Sequence, residues 1–162
     1  MNFDREANVR FGFSFLYPRE WDRKDPMNGD GNTYVNPKNP DVKILAWGSY
    51  AVLYENINEA VIKTIESMKR EKKFKLLYDT ESGRHAYSWE KENDEVAETR
   101  EQVEGRRFVY QCFVDKKKIT YMHLITQKDD IQFSIKCEAP SKAYSDYEDL
   151  FLHIVSSIHI LV

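Results

Sequence analysis

The spacing of hydrophobic residues changes period several times along this chain. Val9, Phe11, Phe13 and Phe15 alternate with Arg10, Gly12 and Ser14. A period of two predicts a strand with one buried face. Tyr17-Pro18 ends it, because proline cannot donate to a ladder. Trp21 follows in a short connection and is expected to fold back on the sheet. Asp25 to Asn32 reads DPMNGDGN, turn chemistry throughout. Asn32 to Val35 predicts a short strand, and Pro37 and Pro40 bracket another turn. Val42 to Gly48 is apolar on both faces, as expected of a central strand covered on two sides.

Asn56 and Glu59 have the spacing of a capping box. Ile57, Val61, Ile65 and Met68 then recur at four, four and three, with Lys63, Glu66 and Lys69 between them. That predicts an amphipathic helix of about four turns. Its end is marked by the charged run Lys69 to Lys73, with cations near the negative pole.

The second half turns to strands. Phe74 to Tyr78 and His85 to Glu90 predict a hairpin around Ser82-Gly83; Lys91 to Arg100 carries no periodic signal. Phe108 to Val114, Ile119 to Thr126 and Ile131 to Cys137 predict three antiparallel strands separated by charged turns. In the last, Ile131, Phe133, Ile135 and Cys137 point in, and Gln132, Ser134, Lys136 and Glu138 point out. A final helix starts at Pro140-Ser141, or at a second capping box, Ser145 with Glu148. Its apolar stripe is Tyr147, Leu150, Phe151, Ile154 and Ile158. Strands in runs, not alternating with helices, predict an α+β fold with a mostly antiparallel sheet. The two-sided apolarity of Val42 to Gly48 predicts a helix on each face. With no repeat and no boundary signal, residues 1–162 are expected to form one domain.

Composition narrows the function. Leu, Ile, Val and Phe make up about a quarter of the chain, above the roughly 20% below which charged chains stay disordered. The net charge of −3 gives no field that would draw in nucleic acid. Basic clusters at Lys69-Arg70, Lys72-Lys73-Lys75, Arg106-Arg107 and Lys116 to Lys118 are interleaved with acids and read as a solvated helix end and charged turns. The longest uncharged stretches, Ile44 to Tyr54 and Phe151 to Val162, fall short of the ~20 apolar residues of a membrane span. Met1 to Glu6 has no basic region leading into an apolar one, so it does not read as a signal peptide. Two localisations stay open: cytoplasmic, or cell envelope or extracellular if a leader preceded this start.

Candidate chemistry is sparse. Asp25, Asn28, Asp30 and Asn32 offer hard oxygen ligands of the kind calcium takes. The calcium-loop spacing fails: counting from Asn28, Thr33 stands at the required glycine and Asn39 at the bidentate glutamate. Cys112 and His123 lie on neighbouring predicted strands but lack a third, orienting group. Cys112 and Cys137 are separated by the Ile119 to Thr126 strand, so no disulfide is expected. His85, His123, His153 and His159 have no zinc spacing; His153 and His159, six apart on the final helix, do not share a face. No cofactor motif is present. Aromatics are 14% of the chain, and Tyr50, Tyr54, Tyr144 and Tyr147 fit the core pattern least well. An exposed subset of them would suit a docking groove.

One set of motifs carries a resemblance. The opening strand ends in Tyr17-Pro18-Arg19-Glu20-Trp21. An Asn-Gly-Asp-Gly turn follows at Asn28 to Gly31, then a buried strand leading into a helix. The chain closes on a helix ending Ile154-Val155-Ser156-Ser157-Ile158. In order and spacing, over essentially the whole chain, this resembles the PsbP-like superfamily, which includes the extrinsic photosystem II protein, a small Ran-binding protein and DcrB-like bacterial lipoprotein domains. The resemblance implies an α/β/α sandwich around an antiparallel sheet and a non-enzymatic role exercised by docking onto partners. The expected function is a non-catalytic binding domain of the bacterial envelope, with a protein as partner. Trp21, Asp30, Tyr50 and Tyr54 are the candidate contact residues, on connections beside a rigid sheet. The alternative is a small-molecule or metal-binding carrier with a pocket between sheet and helix.

Overall fold

The computed structural model describes residues 1–25, 30–50, 57–79, 104–128 and 130–160. Its centre is a meander in the second half of the chain. Glu104–Val114 (β7), Lys117–Lys128 (β8) and Ile131–Pro140 (β9) pair antiparallel in continuous register. The β7–β8 turn has positive φ at Asp115 (50°) and Lys116 (65°). Two such residues give the turn whose twist matches the flanking strands.

The meander is extended on both sides. Lys43–Tyr50 (β5) pairs with β9, Gly31–Val35 (β4) with β5, and Asp22–Lys24 (β3) with β4. Lys72–Asp79 (β6) pairs with β7. The seven-stranded order is β3-β4-β5-β9-β8-β7-β6, with every pair antiparallel. A second sheet has the order β1-β2-β10, from Phe3–Asn8 (β1), Phe13–Pro18 (β2) and His159–Ile160 (β10).

The two faces of the large sheet are covered differently. One face carries Ile44 and Ala46 of β5, Met122 and Leu124 of β8, and Phe133, Ile135 and Cys137 of β9. It packs against β2 and against the helix Tyr144–Ser156 (α2) through Phe13, Phe15, Phe151, Ile154 and Val155. The Phe13 and Phe133 rings lie 4.8 Å apart. The other face carries Phe108, Tyr110, Cys112, Tyr121 and Ile125 and is capped by the helix Ile57–Met68 (α1) through Val61, Ile65 and Met68. The helices therefore lie on opposite faces, giving the expected layered α+β sandwich. Alternation along β8 makes this possible, because residues 120, 122 and 124 point one way and 121, 123 and 125 the other.

Several expectations are corrected. The alternation from Val9 to Phe15 is not one strand. Residues 9–12 form a turn joining β1 to β2. Gly12 takes φ 73°, the Phe11 N–H donates to Asn8 Oδ1, and Val9 is 85% exposed. Phe11 is buried by a turn, not by a ladder. Phe74 to Tyr78 pairs with β7; the rest of that predicted hairpin, 85–90, and the stretch 91–100 lie outside the described residues, as does Asn56. The Ser145–Glu148 capping box does not form. Ala143 is the N-cap and makes no side-chain cap bond, which leaves Ser145 inside the helix. His159 lies on β10, not on the final helix.

Ser157 fastens α2 to the small sheet. Its hydroxyl donates to Ile154 O (2.5 Å) and accepts the Leu16 N–H (2.8 Å). Its carbonyl accepts from Arg5 Nη1 at 3.2 Å. The Ile154 carbonyl, which also accepts the Ser157 backbone N–H at 3.1 Å, and the Leu16 N–H of β2 are thus both tied to one residue at the helix end.

Candidate functional site

The Pro18–Trp21 connection lies where β2, the β4–β5 turn and α2 meet. Trp21 is 7% exposed and belongs to the core. Its N–H donates to Pro18 O at 3.1 Å, which pins the connection. Beside it lies a hollow of about 350 Å³ whose wall includes Pro18, Trp21, Pro37 and Tyr147. Glu20 and Lys38, both exposed, stand on its rim.

Asn36 organises this hollow. It is buried, and each end of its amide is committed. Oδ1 accepts the Lys38 N–H at 3.0 Å. Nδ2 donates to Tyr147 Oη at 3.2 Å. The β4–β5 turn, which carries Pro37 and Pro40, is thereby fixed to the final helix. Buried side-chain amides held at both ends are rigid, so the hollow is preformed. Tyr147 stacks on Phe151, centroids 6.0 Å apart, which anchors its ring from below.

The other predicted residues lie elsewhere. Asp30 and Tyr50 sit at the far end of β5, roughly 23 Å from the Trp21 end by seven strand steps of ~3.3 Å. Asp30 forms an ion pair with Arg10 and its carbonyl accepts the Gly48 N–H at 3.0 Å. Tyr50 is 56% exposed and lies edge-on to Phe11 at 5.3 Å. It is the last residue of β5, not part of a connection. Tyr54 and Asn28 lie outside the described residues. The structure thus does not bring Trp21 together with Asp30 and Tyr50.

The oxygen donors proposed for a metal are engaged otherwise. Asp25 Oδ1 accepts from Arg23 Nε (2.8 Å) and Asn32 Nδ2 (2.5 Å). Those hydrogen bonds hold the Asp25 carboxyl below its usual range. Asp30 faces Arg10. Among the described residues no three His, Cys, Asp or Glu side chains come together as a metal cage.

Cys112 and His123 share a face but not a position. Cys112 is opposite Ile119 and His123 opposite Phe108, four steps, or ~13 Å, along the ladder. Burial raises the Cys112 thiol, so the thiolate a nucleophile needs is disfavoured. Cys112 and Cys137 are both free and buried, on opposite faces of the sheet with β8 between their strands.

Sequence reasoning missed Pro18, Asn36 and Tyr147 as a group. Asn36 and Tyr147 are 111 residues apart, and no local pattern joins them.

No family model matches the chain, and no curated protein matches it. Solved structures do. The cyanobacterial PsbP, CyanoP, of Synechocystis sp. PCC 6803 superposes with a TM-score of 0.68 at 14% identity, over 98% of this chain and 92% of that one. LpqN of Mycobacterium tuberculosis, involved in cell envelope biogenesis, gives 0.60 at 10% identity, over 99% and 91%. The Pseudomonas aeruginosa protein PA94, of unknown function and described as a putative regulator, gives 0.58 at 10%, over 94% and 92%. The chain has the PsbP-like fold. No helix among the described residues is long and apolar enough to cross a membrane.

Proposed function

We propose that this protein is a non-catalytic binding protein of the cell envelope. It engages another protein at the Trp21 end of its sandwich. The observation that carries the reading is the hollow itself. A preformed wall of two prolines, an indole and a phenol sits between an exposed acid, Glu20, and an exposed base, Lys38. Proline and aromatic walls suit an extended peptide segment, which brings its own backbone donors and acceptors. Rim charges of both signs fix its direction and register. The envelope assignment takes its support from the fold shared with LpqN, a protein of envelope biogenesis.

A second reading, a small-molecule carrier, rests on the same volume. About 350 Å³ lies at the lower end of ligand pockets.

The test is site-specific photo-crosslinking in living cells, with the photoreactive group placed in turn at positions 20, 38 and 63. Lys63 is exposed on α1 and serves as control. The expected result is one envelope protein crosslinked from 20 and 38 and absent from 63. Identical adducts from all three, or none from 20 and 38, would overturn the reading. A melting rise with a small molecule and no adduct would favour the carrier.

A further inference from the structure

The residues around the Trp21 hollow use their acceptors and leave donors unused. Pro18 O accepts the Trp21 N–H at 3.1 Å, Asn36 O the Asn39 N–H at 3.2 Å, and Asn2 O the Arg19 N–H at 2.9 Å. Asn36 Oδ1 takes the Lys38 N–H at 3.0 Å. These four acceptors are engaged within the chain. The donors are a different matter. The Tyr147 hydroxyl accepts from Asn36 Nδ2 at 3.2 Å, and among the described residues its own proton goes to no acceptor. Asn36 Nδ2 carries a second hydrogen. The Trp21 indole N–H has no acceptor among the described residues and keeps contact with solvent.

A ligand suited to such a wall brings acceptors and few donors, because a donor taken out of water without a partner is costly. An ordinary peptide carries one N–H per residue. A run of prolines carries none and keeps every carbonyl. It also holds the polyproline II form before it binds, so less freedom is lost on docking. One turn of that form is three residues over about 9 Å, a compact body for a hollow of about 350 Å³. Its rings pack on walls of proline, indole and phenol, as in other grooves that read this form.

We propose, on the basis of the peptide-binding reading above, that the bound segment is proline-rich, in the polyproline II form, with a basic residue at the Glu20 end. The Tyr147 hydroxyl and the Trp21 indole N–H donate to its carbonyls. Glu20, exposed on the rim, meets the basic side chain. Lys38, on the same rim, repels a cation placed beside it and so fixes which end carries the charge.

The test follows the isotope-labelled chain by nuclear magnetic resonance during titration with three capped peptides, PPPPR, AAAAR and PPPPE. PPPPR is expected to move the Trp21 indole resonance and to bind with a Kd of about 1 mM or tighter. AAAAR, of equal charge, should bind at least about tenfold more weakly, and PPPPE about threefold more weakly. Tyr147→Phe should weaken PPPPR about threefold or more. Glu20→Gln, an exposed change that leaves the fold alone, should bind PPPPR and PPPPE alike. Circular dichroism shows whether Tyr147→Phe is folded; if it is not, Glu20→Gln carries the test. No shift at about 10 mM PPPPR, AAAAR bound as tightly, or shifts confined to residues away from the hollow would each overturn the proposal. Crosslinking from positions 20 and 38 separates it from the broader reading. An adduct mapped to a proline-rich segment supports both. An adduct mapped to a segment without proline overturns this proposal and leaves protein binding standing, and no adduct overturns both.

Discussion

Replacing His123 by phenylalanine should remove a specific part of the protein's acid sensitivity. His123 sits among Phe108, Trp47 and Lys136, and among the described residues neither ring nitrogen has a hydrogen-bond partner. Its folded pKa is lowered to about 3 from 6.5, so between those values the unfolded chain holds a proton that the folded chain refuses. Stability therefore falls as pH drops below 6.5. From pH 7.5 to pH 5.0 the loss works out at about 2 kcal/mol, roughly 30-fold in the unfolding constant. Glu138 acts in the opposite sense, because its raised pKa lets the folded state take up a proton first. That contribution is common to both proteins and cancels in their difference, as does any cost of fitting the larger ring. Urea unfolding followed by circular dichroism at the two pH values measures it, provided the slope m is unchanged. The wild type should lose about 2 kcal/mol more than His123→Phe between these pH values. Equal losses within about 0.5 kcal/mol would refute the reasoning, since the imidazole would then not be held neutral by burial.

Three further outcomes are expected. Gly48→Ala would place a Cβ 2.3 Å from the Phe11 Cγ, at the root of a buried ring that cannot swing aside; denaturant unfolding should show a loss of about 1–3 kcal/mol. Cys112 and Cys137 are buried and their thiols are pushed up. Neither should react with a thiol reagent in the native protein within minutes, and both should do so in denaturant. Calcium at millimolar concentration should leave the melting temperature unchanged, because Asp25 and Asp30 already face Arg23 and Arg10; a rise reversed by chelator would contradict this.

The layers were legible in the sequence where one physical signal dominated. β8, β9 and α2 bury long apolar side chains at a fixed period, and register then follows from the pattern. The first strand shows how the pattern misleads. Val9 and Phe11 keep the period of two, but Asn8 and Gly12 supply a turn that the alternation conceals. β1 carries little signal in the sequence, because its Phe3, Arg5 and Ala7 give a weak apolar face. Candidate sites were less legible. Lys136 and Ser134 do point away from the α2 face, as their alternation implies. Nothing local reveals that the Trp47 ring reaches His123 two strands away and lies beside the Lys136 ammonium. The Trp21 connection was visible from its proline and indole, yet its hollow needs Asn36 and Tyr147, which only the folded chain brings together.

The Ser157 junction sets an order for synthesis. The Leu16 N–H and the Arg5 guanidinium reach Ser157, 141 and 152 residues downstream, and β2 gains its second neighbour only when His159 is available. While the chain emerges from the ribosome, β1 and β2 can pair with each other, and a lone two-stranded hairpin is marginal in water. Phe13 and Phe15 have no core to enter until β9 and α2 exist. The β7–β8–β9 meander, closed by short turns, is the part able to organise locally. The aromatic hairpin made first is therefore the piece that docks last, and until then it is the segment most in need of a chaperone.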